Sequence, residues 1–206
     1  MEIPFYILSA IIGYLIGSVS FAVIIGKLFY KKDVRETGSK SAGATNVLRT
    51  LGKKAAIAVT IGDLLKGIIA YLVVKPIGNF CAAGETCAII SGVFAVLGHN
   101  YPLYFNFKGG KGVLTSLAFS FMIDYRGAIL ALAFAIIIMA TTKYVSLGSI
   151  LGCTLNAIVI FFLVPGEYIK IIAIVFLVIL AIVKHKENIK RLIKGEERKL
   201  GQKEQK

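Results

Sequence analysis

Long apolar runs separated by short charged connections make up most of the chain. Each run has the composition of a helix that enters a bilayer, for which about 20 apolar residues complete a crossing. The pattern predicts seven membrane helices, at about 3–28, 55–74, 87–105, 113–123, 127–140, 147–164 and 168–183. We therefore expect an all-α, polytopic membrane protein. Gly13 and Gly17 in the first helix predict close approach of a second helix at that point.

The region 113–140 allows two interpretations, because Asp124-Tyr125-Arg126 divides it into two short apolar runs. It forms either one long bent helix or two short ones. Lysine and arginine concentrate in the cytoplasmic connections of membrane proteins, and only the second choice places every strongly basic connection on one side. These connections are 27–54, 108–111, Lys143 and a tail at about 184–206. We therefore expect the N-terminus outside the cell and the C-terminus in the cytoplasm.

The composition supports the same class. The 206 residues are 57% hydrophobic and 17% charged, which is more apolar surface than a soluble domain of this size can bury. A net charge of +13 would suggest a nucleic-acid partner in a soluble protein. Here the cations lie in the connections, where membrane topology and lipid headgroups account for them. We expect one integral membrane domain over 1–206, with a basic tail and no nucleic-acid partner.

The segment 107–113, Phe-Lys-Gly-Gly-Lys-Gly-Val, is the clearest candidate for chemistry. Its glycines leave backbone N–H groups uncovered, two lysines add positive charge, and an apolar helix follows. Exposed amides, cations and a helix N-terminus together favour a phosphate or a carboxylate. The segment, here called the glycine-rich loop, predicts an anion site; the alternative is a flexible turn whose lysines follow membrane topology. The residues concerned are Lys108, Gly109, Gly110, Lys111 and Gly112.

Three more polar segments fall on the predicted cytoplasmic side, at 33–54, 141–146 and 185–191. Each carries side chains that can donate a hydrogen bond to an anion. They are Ser39, Ser41, Thr45, Asn46 and Arg49 in the first segment, Lys143 and Ser146 in the second, and His185 and Asn188 in the third. One such turn would mean little, but four on one face predict a single phosphate-binding site.

Several common site types lack their required residues. Gly38-x-x-x-x-Gly43 opens like a nucleotide P-loop, but Ala44 and Thr45 follow where a lysine is needed. The chain has no Gly-x-Ser-x-Gly elbow, and its histidines and cysteines lack metal-ligand spacing. We therefore expect neither a metal nor a cofactor. Asp63 and Lys66, three residues apart within the second helix, are interpreted as a structural ion pair.

A phosphate site at a bilayer surface suits an amphiphile whose head is phosphate and whose tail lies between helices. Acyl transfer there needs a positioned hydroxyl, a base or hydrogen-bond relay, and cations for the departing group. Positioning suffices for an acyl phosphate, because its leaving group is already good. The alternative is a membrane transporter of small phosphorylated solutes. A transporter needs a polar path through the bilayer, whereas the predicted helices hold almost no charge besides Asp63 and Lys66.

Three ordered motifs resemble those of the bacterial membrane acyltransferases that acylate glycerol 3-phosphate with acyl phosphate, and the resemblance covers essentially the whole chain. The first runs from Gly38-Ser39 through Gly43-Ala44-Thr45-Asn46 to Arg49, and the second joins Gly98-His99 and Pro102 to the glycine-rich loop. The third combines 144–147 with His185, Asn188, Ile189, Arg191, Leu192, Gly195 and Glu197. The resemblance implies a seven-helix enzyme of the bacterial inner membrane with a cytoplasmic site and no metal. Its partners would be acyl phosphate, glycerol 3-phosphate and membrane lipid, its product 1-acyl-glycerol 3-phosphate, and we expect a monomer.

The resemblance also implies roles for single residues. Ser39, Thr45, Asn46 and Arg49 belong to the phosphate site of the first motif, and Lys111 is the main cation of a loop that binds glycerol 3-phosphate. In the third motif, Ser146, His185 and Asn188 are required for activity and Glu197 gives structural support. His99 and Ser41 are further candidate site residues.

Two positions depart from the family pattern. Lys40-Ser41 stands where the family usually has glycine and asparagine, and Leu114 stands where it favours alanine. Neither change removes a charge that the expected mechanism needs. In that mechanism the C1 hydroxyl of glycerol 3-phosphate attacks the acyl carbonyl while phosphate departs. Either His185 or Asn188 orients the hydroxyl, or a phosphate accepts its proton directly.

Overall fold

The computed structural model describes residues 2–202, which form helices and connecting turns with no strand among them. The chain divides into two compact units, Met1–Phe119 and Ser120–Lys206. The helices are α1 (Ile3–Gly17), α2 (Phe21–Tyr30), α3 (Ala44–Thr50), α4 (Lys53–Asn79), α5 (Gly84–Asn100), α6 (Val113–Ile123), α7 (Tyr125–Thr142), α8 (Val145–Leu163), α9 (Tyr168–Lys184) and α10 (Lys186–Ile193). A short 3-10 turn, Leu103–Phe105, follows α5.

Five helical segments within the described residues are long and apolar enough to cross a membrane: Ile3–Tyr30, Lys53–Asn79, Gly84–Phe105, Tyr125–Thr142 and Val145–Leu163. Helices α9 and α10 make a sixth crossing if the pair, bent by 59°, counts as one. Helix α6 has 11 residues, a length of about 16 Å against a hydrocarbon core of about 30 Å. The all-α membrane class is confirmed, but the predicted number of seven spans is not.

In the first unit, the small residues of α1 let it lie directly against α5. A Cβ atom on Gly13 would lie 2.1 Å from the Ser91 carbonyl oxygen, and one on Gly17 would lie 2.0 Å from that of Ala95. The predicted close approach is therefore present, with α5 as the partner. It holds the C-terminal end of α5, and with it His99, in a defined position.

The first predicted helix, 3–28, is not continuous. Helix α1 ends at Gly17 and α2 begins at Phe21, and the polar groups of the break bond to other segments. The Ser18 hydroxyl accepts a hydrogen bond from the Leu103 N–H at 3.2 Å, and the Val19 carbonyl accepts one from the Lys66 ammonium at 3.0 Å. Buried backbone groups need such partners, so the break joins α4 to the segment after α5.

In the second unit, α7 and α8 meet through the same kind of contact. A Cβ atom on Gly148 would lie 2.7 Å from the Ala135 carbonyl oxygen, and one on Gly152 would lie 2.7 Å from the Ala135 Cβ. The predicted break at 124–126 is confirmed. Asp124 caps α7 by accepting hydrogen bonds from the backbone N–H groups of Arg126 at 2.9 Å and Gly127 at 3.3 Å, as N-cap carboxylates commonly do.

Candidate active site

The first polar loop, 33–50, is shaped from inside by Asn46. This side chain is 1% exposed; its oxygen accepts from the Ser39 N–H at 2.8 Å, and its amide donates to the carbonyls of Val34 at 2.7 Å and Thr37 at 3.2 Å. Asn46 therefore holds three points of the loop backbone together. The structure places it as the internal support of the loop, while Ser39 lies exposed on its surface.

The conformation of the same loop explains why a glycine is needed at 38. Gly38 has φ +63°, and a Cβ there would lie 2.2 Å from the Asn46 side-chain oxygen. Lys40, at the position where the family usually has glycine, also adopts a positive φ of +57°. A residue with a side chain is disfavoured in this region by roughly 1–2 kcal/mol. The departure from the family pattern therefore carries a local cost in backbone strain.

The glycine-rich loop is fastened to both the first polar loop and the end of α5. The Ala42 N–H donates to the Gly109 carbonyl at 3.4 Å, and the Gly110 N–H donates to the His99 carbonyl at 3.1 Å. A Cβ on Gly109 would lie 2.0 Å from that same His99 oxygen. The packing thus requires glycine at 109, and it brings the first and second motifs into one region of the first unit.

An ion pair outside the predicted motifs fastens this region at a second point. Arg35 donates from Nε and Nη2 to the Asp33 carboxylate at 2.9 and 2.7 Å, and its Nη1 donates to the Phe105 carbonyl at 2.8 Å. The Arg35 hydrogen bonds hold the pKa of Asp33 well below its usual range. The first polar loop therefore stays attached to the 3-10 turn just before the glycine-rich loop throughout the neutral pH range.

The cations of this region differ in exposure. Lys108 lies exposed, whereas Lys111 and Arg49 are half-buried. Thr45, in the first turn of α3, and Ser41, in the loop before it, are half-buried as well. Arg49 stands in the last turn of α3. Partly buried cations act more strongly on an anion than fully solvated ones, because less water screens them. Arg49 and Lys111 are therefore the stronger anion-binding candidates.

Gly109→Ala should reduce the turnover of any reaction at this site by about 10²-fold, because the added methyl group must displace the loop by about 1 Å or more. Gly166→Ala is the matched control. Gly166 has a positive φ of +83° but open space around its Cβ position, so this substitution introduces backbone strain without a steric clash. Turnover of the purified variants in detergent measures both effects. Equal activity of the two variants would contradict the close-contact explanation.

Three ionisable side chains are buried together, and one of them, His99, contacts the glycine-rich loop. Asp63, Lys66 and His99 are 2%, 3% and 6% exposed, and the Lys66 ammonium lies 3.0 Å from Asp63 Oδ1 and 2.8 Å from His99 Nδ1. The predicted pairing of Asp63 with Lys66 is therefore present. The contact with His99, 33 residues away in the chain, has no signal in the spacing of the sequence.

The second unit contains a separate polar cluster centred on Glu197. Its Oε1 accepts from the Ser146 hydroxyl at 2.7 Å and from the Asn188 amide at 2.6 Å, and its Oε2 accepts from Arg191 Nε at 2.7 Å. Burial by itself raises the pKa of Glu197, but these three hydrogen bonds outweigh it, so the pKa lies below its ordinary value. Glu197 is therefore a carboxylate that orients two of the predicted catalytic side chains.

His185 lies where α9 ends and α10 begins, and its ring orientation follows from one hydrogen bond. Its Nδ1 lies 2.8 Å from the Ala181 carbonyl oxygen. A carbonyl can only accept, so Nδ1 carries the proton and, in the neutral ring, Nε2 carries the lone pair. A histidine in this tautomer can accept a proton or a hydrogen bond at Nε2.

Glu197→Gln should lower the thermal unfolding midpoint in detergent by several degrees, because charge-assisted hydrogen bonds to a carboxylate are each stronger than those to a neutral amide. The adjacent Glu196 is exposed, so Glu196→Gln is the matched control and should leave the midpoint unchanged.

The stabilising effect of Glu197, measured with the same variants, is expected to depend on pH. Because the folded pKa of Glu197 lies below its ordinary value of 4.5, its stabilisation is complete above that value and is lost as the pH falls through the folded pKa. Acidification should therefore narrow the difference in midpoint between the wild type and Glu197→Gln. A difference that stays constant from neutral to acidic pH would contradict the charged role of Glu197.

Comparison with known proteins supplies the family. The family model described as glycerol-3-phosphate acyltransferase matches residues 7–195. A glycerol-3-phosphate acyltransferase of Thermoanaerobacter pseudethanolicus is 44% identical over 197 residues, covering 96% of each chain. One from Clostridioides difficile is 40% identical over 206 residues and covers both chains completely. The chain belongs to the glycerol-3-phosphate acyltransferase family.

Solved structures of the family share this fold. The glycerol 3-phosphate form of PlsY, an integral membrane glycerol 3-phosphate acyltransferase, aligns with a TM-score of 0.87 at 36% identity, covering 95% of this chain and 96% of that chain. Its lysophosphatidic acid form aligns with a TM-score of 0.83, covering 95% of each chain. The predicted resemblance to the acyltransferases is thereby confirmed, and with it the class of integral membrane protein.

Within this acyltransferase, the predicted site residues lie in two sets. The first unit joins the first motif to the glycine-rich loop and His99, and the second unit joins Ser146 and Asn188 through Glu197. The convergence of all four polar segments on one cytoplasmic face stays a prediction. Sequence reasoning missed Arg35 and the contact of Lys66 with His99, because both depend on segments that are distant in the chain.

Proposed function

We propose that the protein transfers a fatty acyl group from acyl phosphate to the 1-hydroxyl of sn-glycerol 3-phosphate, giving 1-acyl-glycerol 3-phosphate and phosphate. The observation that carries the proposal is the fastening of the glycine-rich loop to the first polar loop, by the Ala42 N–H to Gly109 carbonyl bond. This hydrogen bond connects the loop before the helix of Arg49 to the loop of Lys111, so the backbone that carries both cations is fixed before substrate binds. The family membership and the PlsY structures in substrate and product forms support it.

The first unit supplies the charge needed to hold phosphate groups. Arg49 offers a planar guanidinium that matches two phosphate oxygens, and Lys111 and Lys108 act as point charges. The Ser39, Ser41 and Thr45 hydroxyls and the backbone N–H groups of the glycine-rich loop add neutral donors. With the donors pre-positioned, little reorganisation is needed as negative charge moves from the acyl carbonyl to the leaving phosphate.

The reaction makes one ester bond and breaks one mixed-anhydride bond. The glycerol C1 oxygen attacks the acyl carbonyl carbon, the new C–O bond forms, and the bond from that carbon to the phosphate oxygen breaks. The departing phosphate takes the electron pair, and the hydroxyl proton leaves to His185 Nε2 or to a phosphate oxygen. His185 suits the first route because its Nδ1–H donates to the Ala181 carbonyl, which leaves the lone pair on Nε2.

Ser146 and Asn188 complete the proposed catalytic set with His185. The Glu197 carboxylate accepts from both of their side chains, so it determines which way their remaining polar atoms are directed. We propose that Asn188 helps to orient the attacking hydroxyl and that Glu197 acts through it. In this arrangement Glu197 gives structural support to the catalytic set without contacting substrate.

The multi-pass chain is proposed to lie in the bacterial inner membrane with its N-terminus outside and its C-terminus and site in the cytoplasm. The basic connections support this orientation, because lysine and arginine are retained on the cytoplasmic side. Glycerol 3-phosphate would then reach the site from the cytoplasm, and the acyl chain of the donor would reach it from the bilayer.

The test is an assay of the purified protein in detergent with acyl phosphate and glycerol 3-phosphate, measuring phosphate and lysophosphatidate together. We expect equal amounts of both, with the acyl group on the 1-hydroxyl as read by NMR of the product. Transfer from acyl-CoA but not from acyl phosphate would overturn the donor assignment. Uptake of glycerol 3-phosphate into proteoliposomes without acyl transfer would favour a transporter instead.

A further inference from the structure

The Lys66 ammonium contacts three polar atoms from three different segments. It forms an ion pair with Asp63 Oδ1 at 3.0 Å within α4. It donates to the Val19 carbonyl at 3.0 Å in the break between α1 and α2, and it lies 2.8 Å from His99 Nδ1 at the end of α5. An ammonium has three N–H donors and no acceptor. Lys66 therefore ties α4 to the break after α1 and to the end of α5, through one ion pair and two close polar contacts.

This geometry determines the tautomer of His99. A contact of 2.8 Å between an ammonium and a ring nitrogen requires a lone pair on that nitrogen, because a protonated Nδ1 would set two N–H groups against each other. The longer distance of 3.5 Å from His99 Nδ1 to Asp63 Oδ1 agrees with this choice, since a donated hydrogen bond would be shorter. Beside a charged Lys66, this geometry assigns His99 the neutral form with its proton on Nε2.

The protonated nitrogen of His99 faces the glycine-rich loop. His99 Nε2 lies 2.1 Å from the position that a Cβ on Gly110 would occupy, and the His99 carbonyl accepts from the Gly110 N–H at 3.1 Å. The imidazole thus presents the positive end of an N–H dipole to the loop. The opposite tautomer would present a lone pair there, which repels an anion.

We propose that Lys66 is a positioning residue: by holding Nδ1 of His99 as an acceptor, it keeps an Nε2–H directed at the glycine-rich loop and so favours binding of the phosphate of glycerol 3-phosphate. The proposal gives the Asp63–Lys66 pair a task beyond the stability of α4. This proposal deepens the proposed function. The identity of the substrate rests on the proposed function, whereas the protonation of the His99 ring is independent of it.

The ring state is measured directly by NMR of protein labelled with [15N]histidine in detergent. The chain contains two histidines, and the His185→Asn variant identifies the signal of His99. In the wild type we expect the proton on Nε2 in His99 and on Nδ1 in His185. In Lys66→Met we expect the His99 signals to move toward a mixture of both tautomers, while those of His185 stay unchanged. This result is read without any acyl transfer, so it separates a failure of this proposal from a failure of the proposed function.

Kinetics supply the second measurement. Lys66→Met should raise the KM for glycerol 3-phosphate about tenfold or more, the order expected when one hydrogen-bond donor near an anion is lost, and should change the KM for acyl phosphate less. Lys75→Met is the matched control, since Lys75 lies in the same helix and also pairs with a carboxylate, Glu85, at 2.8 Å. It should leave both constants unchanged.

Lys66→Met leaves the buried Asp63 charge without its cation, which could prevent folding. The double variant Asp63→Asn/Lys66→Met removes both charges with side chains of similar volume and is measured in the same way. A wild-type His99 with its proton on Nδ1 would overturn the proposal. So would a folded single or double variant in which the tautomer or the KM for glycerol 3-phosphate matches the wild type.

Discussion

Arg49→Ala is expected to reduce acyl transfer by about 10³-fold or more while the protein stays folded. The half-buried guanidinium in the last turn of α3 is the strongest candidate for a bidentate phosphate contact, and losing one pre-positioned donor to developing charge costs on the order of 10²–10³ in turnover. Loss of ground-state binding to the same phosphate adds to this. Release of phosphate and lysophosphatidate by the purified variant measures the effect.

Two further variants make this result specific. Arg49→Lys keeps the charge but loses the planar fork, so it should recover only part of the activity. Arg126→Ala removes an exposed arginine that pairs with Asp124 at 2.6 Å, and it should keep full activity. Equal thermal midpoints of Arg49→Ala and the wild type would show that folding is intact. A fully active Arg49→Ala protein would remove Arg49 from the site.

His185→Asn should lower turnover by about 10²–10⁴-fold, the range of general acid–base catalysis. The asparagine amide can replace Nδ1–H as the donor to the Ala181 carbonyl, which lies 2.8 Å from the ring, but it has no group at the position of Nε2. The variant should therefore keep its thermal midpoint and lose its chemistry. A stopped-time assay of lysophosphatidate, with both substrates at saturation, measures turnover separately from binding.

His185→Gln provides the complementary comparison. Its amide reaches the position of Nε2, so it can orient a hydroxyl but cannot take up a proton at neutral pH. If His185 only orients the substrate, His185→Gln should be far more active than His185→Asn. If His185 accepts the proton, both variants should be equally impaired. Wild-type turnover in His185→Asn would show instead that a phosphate oxygen accepts the proton.

Most of the fold class could be predicted from local pattern, and the number of spans could not. Burying apolar side chains in lipid is favourable residue by residue, so each apolar run predicts a membrane helix from its own composition. Whether an apolar run crosses the bilayer depends on the length of the helix it forms and on the helices packed against it. Helix α6 is apolar but only 11 residues long, and the first run contains a break whose carbonyl is satisfied by Lys66.

The sequence by itself determined the elements that depend on neighbouring residues: the all-α membrane class, the break at Asp124 and the three motifs. Only the tertiary structure decided how the polar side chains are used. Asn46 turns inward to support its loop, Glu197 orients Ser146 and Asn188, and Lys66 reaches His99 across 33 residues. These roles depend on distances between residues far apart in the chain, and such distances follow from packing of whole helices rather than from local pattern.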